Sequence, residues 1–200
     1  MDNIGLALSG GAARGIAHIG VLRALEEQKI PIKLISGTSV GAIIAALYAF
    51  DIELDEIGRF AKSLNLSKVS SFKLSKYGLF DNHNLKDLLY QYFGDSRIEN
   101  SKLPLAIIAT DISSGEKVIL KSGSVCDAVC ASSAIPGLFA PVIIDNQSLV
   151  DGGLVQNLPV SVLKEMGADY LIGSDLSGSY KSTKVENIVD IIRNSFRIMV

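Results

Sequence analysis

Two similar units, each a short apolar run followed by a glycine turn and an apolar helical pattern, fill the first 50 residues of the chain. The apolar runs are Ile4–Leu8 and Ile32–Ser36. Short apolar runs that are bounded by turn residues are typical of buried strands. Buried strands that alternate with helices predict a parallel sheet covered on both faces. We therefore expect an α/β protein with three layers, α/β/α, and a mainly parallel central sheet.

The length of the chain and a change of pattern near its middle predict how it is organised. Its 200 residues fit a single domain with its own core. Between about residues 51–95 the alternation stops, and two helical patterns, Leu54–Leu64 and Asn84–Phe93, flank a stretch without a clear period. We interpret this segment as a helical insertion or lid within one domain of residues 1–200. The helical pattern of Ile188–Val200 ends without a cap or breaker, so we expect a truncated C-terminus.

The strand pattern resumes after the insertion. Leu105–Thr110 has the composition of a buried strand, and Lys117–Leu120 is its expected hairpin partner. Val142–Ile144 and Ser148–Val150 flank an Asp-Asn-Gln turn that is typical of a second hairpin. Tyr170–Ser174 is expected to be a further buried strand.

Charge and composition exclude several classes of function. The net charge of -2 gives no electrostatic reason to expect a nucleic-acid partner. Cys126 and Cys130 have the spacing of one helical turn, and together with two scattered histidines they do not make a zinc site. The start of the chain lacks a basic secretory signal, and the longest apolar run, Ala42–Phe50, is shorter than the ~20 residues that span a bilayer. We therefore expect a reduced, cytoplasmic protein.

The second glycine turn, Gly37–Gly41, has the pattern G-x-S-x-G between a buried strand and an apolar helix. In this setting the central residue, Ser39, projects from a sharp turn, and glycines on either side let the strand and the helix approach closely. The helix that follows points its N–H groups and its positive end at the serine, which stabilises developing negative charge. Ser39 is therefore a candidate nucleophile. The alternative is an ordinary helix cap, a position where serine is favoured.

The first glycine turn, Gly10–Gly15, also joins a strand to a helix, and its N–H groups can line a cradle for an anion. The spacing is not G-x-G-x-x-G, and the G-K-[ST] of a P-loop is absent, so a nucleotide site is not favoured. An oxyanion hole fits better, because a candidate nucleophile lies one crossover away. Arg14 is the only charge in this loop. It orients the loop, contacts a phosphate head group or pairs with a surface acid.

A serine nucleophile needs a proton acceptor, and the chain has only two histidines, His18 and His83. Neither follows the serine near the end of the chain, as a Ser-Asp-His order requires, so we interpret both as structural or surface residues. An aspartate within hydrogen-bond reach can serve instead. Asp111, Asp151 and Asp175 each follow a predicted strand. The two glycines after Asp151 favour it modestly over Asp111, although an aspartate before glycine is also a common turn residue.

Taken together, these motifs resemble the catalytic domain of the patatin-like phospholipases. Gly10–Gly15 resembles the glycine-rich oxyanion loop of that family, Gly37–Gly41 its nucleophile turn, and Asp151-Gly152 the Asp-Gly of its Ser-Asp dyad. The stretch Ala131–Pro136 is similar to a structural block between the serine and the aspartate. The blocks occur in the same order as in the family, and the resemblance covers nearly the whole chain. One departure is Ala12, where the family often has a third glycine.

The resemblance implies a lipid acyl hydrolase, a phospholipase or esterase, that works through an acyl-enzyme and needs neither metal nor cofactor. Asp151 would take the proton of Ser39, and small cytoplasmic bacterial members are the most similar in length. The implied oxyanion donors are Gly10, Gly11 and Ala12, and the implied supporting residues are Arg14, Gly15, Gly37, Gly41 and Gly152.

Two other functions stay open at this point. The same covalent intermediate would serve an acyltransferase, in which an alcohol or thiol replaces water as the acceptor. Ala12 and the expected truncation also fit a lipid-binding regulatory module with little turnover. The head group, the acyl chain, the oligomeric state and peripheral contact with a membrane are open as well. Side chains of the insertion that could line an acyl pocket or touch a membrane, or else pack on the core, are Phe72, Leu74, Tyr77, Leu79 and Phe80.

Overall fold

The computed structural model describes residues 3–64, 71–75, 78–178, 185, 186 and 188–199. Its strands, in chain order, are β1 (Ile4–Leu8), β2 (Ile32–Thr38), β3 (Ser71–Ser75), β4 (Gly78–Asp81), β5 (Leu105–Asp111), β6 (Lys117–Leu120), β7 (Val142–Ile144), β8 (Gln147–Asp151) and β9 (Tyr170–Ser174). Its α-helices are α1 (Ile16–Glu27), α2 (Val40–Ala49), α3 (Leu54–Ser63), α4 (His83–Phe93), α5 (Val125–Ser132), α6 (Val160–Glu165) and α7 (Ile188–Met199).

Seven strands form the central sheet, in the order β7-β8-β5-β2-β1-β9, with β6 paired to β5. The pairings of β1 with β2 and β9, and of β2 with β5, are parallel. The pairings of β5 with β6 and β8, and of β7 with β8, are antiparallel. The parallel part agrees with the alternation of strands and helices, and the antiparallel part contains the two hairpins that were expected from their turns.

Helices cover both faces of this sheet, as the apolar strands predicted, except at its edge: β9 was expected to be buried and is largely exposed. Alternate residues of a strand point to opposite faces, so Leu6 and Leu8 join one apolar cluster and Ala7 joins another. The larger cluster contains buried side chains of α1 to α5. The smaller one is built around Leu163 of α6. The three-layer α/β/α prediction is therefore confirmed.

The segment predicted to be an insertion contains α3 and α4, close to the two expected helices, and a two-stranded hairpin of β3 and β4 that the sequence pattern did not predict. Its strands are Ser71–Ser75 and Gly78–Asp81. Of the side chains expected to line a pocket, Tyr77 lies outside the described residues and the others are described only in their backbone. A lid role for this segment remains a prediction.

The two cysteines are buried and free of disulfide bonds, as their helical spacing indicated. Burial raises the pKa of Cys126 to about 11, so its thiol stays protonated at neutral pH. No helix in the described part of the chain has the length and apolarity needed to cross a bilayer.

Candidate active site

Ser39 occupies a strained turn between β2 and α2. Its backbone has φ 55° and ψ -125°, a conformation that residues other than glycine rarely adopt. The two neighbouring glycines are required by space, because a Cβ on Gly37 would lie 2.4 Å from the carbonyl oxygen of Gly41. A Cβ on Gly41 would lie 2.3 Å from the carbonyl oxygen of Leu8. The backbone strain and the close packing match the sharp turn expected around a nucleophile.

The sheet brings Ser39 and Asp151 together although they are far apart in sequence. Strand β2 pairs with β5 up to Thr38 and Ile108, and β8 pairs with β5 in the opposite direction down to Asp151 and Ala109. Strand β6 pairs with residues 107–110 of β5, which overlap both of these pairings, so it must occupy the other edge. Strands β2 and β8 therefore share one edge of β5 and meet there end to end, which puts the serine turn beside the aspartate.

The carboxylate of Asp151 is completely buried. Burial raises its pKa to about 7, and hydrogen bonding from the Ser39 side chain and the Gly153 N–H opposes that rise. The Gly153 N–H donates to Oδ1 at 2.8 Å. Oδ2 has no partner of good hydrogen-bond geometry within the described residues, so the interaction with Ser39 is weaker than a well-formed hydrogen bond. Such loose contacts are common before a substrate binds.

Gly152 is needed for this arrangement, since a Cβ there would lie 2.3 Å from the carbonyl oxygen of Ile108. The other aspartates considered from the sequence have different surroundings. Asp111 accepts a hydrogen bond from the Ser113 N–H at 2.9 Å, and Asp175 accepts one from the Ser177 N–H at 2.8 Å. Asp151 is thus the candidate base that lies beside the serine.

The glycine loop packs directly on the serine turn. A Cβ on Gly10 would lie 3.2 Å from the Cβ of Ser39 and 2.6 Å from Oδ1 of Asn157. The Gly10 N–H donates to the Asn157 carbonyl at a long 3.3 Å, whereas no hydrogen bond in the described part of the chain uses the N–H of Gly11 or Ala12. Ala12 has φ 50°, a backbone conformation that favours glycine. A glycine at this position would carry less backbone strain than the alanine.

Arg14 and Gly15 connect the loop to its surroundings. A Cβ on Gly15 would lie 2.2 Å from a methyl group of Val40, so this glycine lets the loop reach the start of α2. The backbone N–H of Arg14 donates to the Gly11 carbonyl at 3.2 Å, and its Nε approaches the same oxygen at 3.4 Å. Arg14 is exposed, and its charge also acts on Asp175, so the three alternatives for its role remain predictions.

The two histidines have surroundings that differ from those of Ser39 and Asp151. His18 is fully buried, and its ring nitrogens lie 2.8 Å from the Ser9 carbonyl and 2.8 Å from the Ser174 hydroxyl. Burial lowers its pKa, although the Ser9 carbonyl and Asp175 oppose this, so the ring is neutral. His83 lies on α4 with 72 % of its side chain exposed, beside Asp87.

Ser132, at the end of α5, is a site residue whose role the sequence did not indicate. Its hydroxyl accepts a hydrogen bond from the Ser39 N–H at 2.9 Å and donates one to the Ile108 carbonyl at 2.5 Å. It thereby ties the serine turn to β5. The only sequence signal was its place in the block Ala131–Pro136, which was interpreted as structural.

Comparison with known proteins supplies an independent view of the chain. The family model described as patatin-like phospholipase matches residues 6–164. A protein named lysophospholipase nte1 from Emericella nidulans is 36% identical over 187 residues, which cover 86% of this chain and 12% of the relative. An uncharacterized NTE family protein from Mycobacterium bovis is 36% identical over 179 residues, 88% of this chain and 49% of its own length. The chain therefore spans half or less of these curated relatives.

The fold also resembles a solved structure. VipD from Legionella pneumophila superposes with a TM-score of 0.62 and 16% sequence identity, and the match covers 80% of this chain and 47% of that protein. At this level of identity the similarity concerns the fold alone. It agrees with the three-layer arrangement of the sheet and its helices.

Proposed function

The chain belongs to the patatin-like phospholipase family, and from this premise we propose that it is a serine hydrolase that cleaves the acyl esters of lipids. Ser39 is the nucleophile and Asp151 is its general base. The observation that carries this proposal is the position of a fully buried carboxylate beside a serine in a strained turn. The glycine loop, Gly10–Gly15, packs against the same turn.

In the first step, Asp151 takes the hydroxyl proton of Ser39 as the serine oxygen attacks the acyl carbonyl. The carbonyl oxygen becomes an oxyanion that needs hydrogen-bond donors held in place before the reaction. The N–H groups of Gly11 and Ala12, which no hydrogen bond among the described residues uses, fill this role. Gly10 was expected as a third donor, but its N–H bonds to Asn157, and it supports the other two by packing against the serine. The leaving alcohol takes the proton from Asp151, and an acyl-enzyme on Ser39 remains.

In the second step, water attacks the acyl-enzyme. Asp151 accepts a proton from this water, and the same N–H groups stabilise the second tetrahedral oxyanion. Collapse of the intermediate releases the fatty acid, and the proton on Asp151 returns to the Ser39 oxygen. In each step Asp151 first accepts a proton as a base and then donates it as an acid. A single carboxyl group with a pKa near neutrality is therefore sufficient.

Burial explains how a carboxylate can replace histidine as the base. An exposed aspartate is a weak base, because its proton affinity is low. The buried environment of Asp151 raises its pKa to about 7, close to that of an imidazole. The carboxylate is then ionised often enough to act near neutral pH and basic enough to accept the serine proton.

The name of one relative supports a substrate class. Since the Emericella nidulans relative is named a lysophospholipase, we propose that this chain acts on phospholipids that carry a single acyl group, or on similar esters. The chain acts as one catalytic domain of residues 1–200, with the segment 51–95 as a lid. It meets such substrates in the cytoplasm, dissolved or at the surface of a membrane.

A panel of lysophospholipids, diacyl phospholipids and short-chain esters, assayed by release of fatty acid, tests this function. The proposal expects hydrolysis by the wild type and a loss of at least about 100-fold in kcat/KM for Ser39→Ala and Asp151→Asn. Asp111→Asn is the matched control, because it changes a buried aspartate at the end of the adjoining strand and should keep activity. Full hydrolysis by Ser39→Ala refutes the nucleophile, and acyl transfer to an added alcohol in preference to water favours an acyltransferase.

A further inference from the structure

The residue before the glycine loop, Ser9, has all of its polar groups in hydrogen bonds. Its N–H donates to the Ser174 carbonyl at 3.1 Å, and its carbonyl lies 2.8 Å from Nε2 of His18. Its hydroxyl donates to the Gly10 carbonyl at 3.1 Å and accepts from the Leu176 N–H at 2.8 Å. Ser9 is also completely buried. The start of the loop is therefore held more tightly than its exposed middle.

The bond from Ser9 to the Gly10 carbonyl has a consequence for the next residue. In a trans peptide, the carbonyl of one residue and the N–H of the following residue point in opposite directions. By holding the Gly10 carbonyl, the Ser9 hydroxyl fixes the plane of this peptide and so the direction of the Gly11 N–H. The Gly11 N–H has no partner among the described residues. Glycine backbones rotate easily, so an unheld peptide here could turn over.

His18 fixes the other side of Ser9. Because Nε2 faces a carbonyl, it must carry the proton, and Nδ1 then accepts from the Ser174 hydroxyl. The ring thus joins the loop to β9 through two short hydrogen bonds. Burial would raise the pKa of Asp175, but hydrogen bonds from Ser177 and the nearby Ser9 hydroxyl keep it below its ordinary value. The Ser9 hydroxyl has a single proton, which goes either to the Gly10 carbonyl or to Asp175. Asp175 is therefore the competing acceptor for the Ser9 proton.

We propose that Ser9 and His18 are positioning residues that hold the Gly11 N–H ready for the oxyanion. This inference rests on the proposed function. Neither side chain touches the substrate, because both are buried behind the loop. Ser9 acts on the Gly10–Gly11 peptide directly, and His18 acts through the Ser9 carbonyl. Their contribution is to orientation, so it should be large for the transition state and small for the bound substrate.

Inhibitor binding to Ser9→Ala separates these two effects. A trifluoromethyl ketone forms a hemiketal oxyanion with the serine, whereas the matching methyl ketone binds without one. We expect Ser9→Ala to weaken the trifluoromethyl ketone by about 10- to 100-fold, and kcat to fall by a similar factor. Affinity for the methyl ketone and KM should stay within about threefold of wild type.

Two controls identify the cause of any loss. Ser36→Ala removes a hydroxyl from another fully buried serine, one that donates to the Pro159 carbonyl at 3.0 Å, and should keep both affinities. Asp175→Asn weakens the competing acceptor and should also keep them. An equal loss for both ketones in Ser9→Ala, or the same selective loss in either control, overturns the positioning role.

A pair of His18 variants gives the same information if Ser9→Ala does not fold. His18→Leu removes both hydrogen bonds, and His18→Gln keeps an N–H that can reach the Ser9 carbonyl. We expect a selective loss for the trifluoromethyl ketone in His18→Leu and its partial recovery in His18→Gln. Equal behaviour of the two variants contradicts the role of His18. A wild type that forms no hemiketal on Ser39 would refute the proposed nucleophile itself, and the positioning role with it.

Discussion

At the scale of single residues, the chemistry depends on a carboxylate that the fold keeps away from water. Asp151 is fully buried, with Oδ1 bonded to the Gly153 N–H and Oδ2 left without a well-aligned partner in the described part of the structure. An unpaired buried oxygen costs about 1–3 kcal/mol. A stable fold can carry that cost, and in return Asp151 has one oxygen available for a proton from Ser39.

The pH dependence of kcat/KM follows from the raised pKa of Asp151. A general base works only when it is deprotonated, so kcat/KM should rise with pH and level off above an apparent pKa of about 7. The measurement is steady-state hydrolysis of a non-ionising ester at pH values from about 5 to about 9, a range that brackets this pKa. A flat profile down to pH 5 would show that no buried carboxylate limits the reaction.

The free energy of unfolding should fall as pH rises, as expected when a buried acid has a raised pKa. The pKa of Asp151 is higher in the folded protein than its ordinary value of 3.8, so the unfolded chain loses the proton first as pH rises. The free energy of unfolding then falls between about pH 4 and pH 7, with a slope of about 1.4 kcal/mol for each step of one in pH. Asp151→Asn stays neutral and avoids this loss. In denaturant unfolding, the free energy of unfolding of Asp151→Asn relative to that of wild type should grow from about pH 5 to about pH 7 and then level off, and a constant difference would count against this interpretation.

Some residues of the site could be predicted from sequence and others could not. Ser39 lies in a recognisable motif, and Asp151 is marked by the glycines after it. The role of Ser132 depends on which atoms β5 and α5 bring near the Ser39 N–H, and no local pattern records that. The bond of the Gly10 N–H to Asn157 likewise joins residues that are distant in the chain.

At the scale of elements, strand β5 organises the site. The ends of β2 and β8 meet on one of its edges, at Ile108 and Ala109. Sequence patterns predicted these strands and most helices, because apolar periodicity and turn residues are local signals. They did not predict which strands share an edge, since that is set by packing over long distances. The β3–β4 hairpin was missed because its strands are short: Ser71–Ser75 alternates polar and apolar side chains over only five residues, and the four residues of Gly78–Asp81 do not alternate.

Glycine substitutions test whether close packing holds the serine turn. In Gly41→Ala the new methyl group would lie 2.3 Å from the Leu8 carbonyl, so β1 and α2 must separate. We expect a loss of about 3 kcal/mol or more in the free energy of unfolding, together with a loss of activity. Gly58→Ala on α3 is the matched control, because nothing lies within 4 Å of its new methyl group. That change should stabilise the protein by about 0.5–1 kcal/mol. Equal melting temperatures for the two variants would contradict the close packing.

At the scale of the whole molecule, the fold and the family agree. Three-layer architecture could be predicted because apolar strands alternate with helices in the sequence, and the described helices pack on both faces of the sheet. The antiparallel strands at one side could be expected only as local hairpins, so the mixed character of the sheet emerged from the structure. The antiparallel strand β8 places Asp151 beside Ser39.

The reaction of the protein with a fluorophosphonate probe, mapped by mass spectrometry, tests the central claim most directly. The probe should modify the peptide that contains Ser39, Ser39→Ala should not react there, and Asp151→Asn should react about 100-fold or more slowly. Thermal melting of each variant shows whether it is folded. Modification of a different serine, or an undiminished rate in folded Asp151→Asn, would contradict a nucleophile and base formed by these two residues.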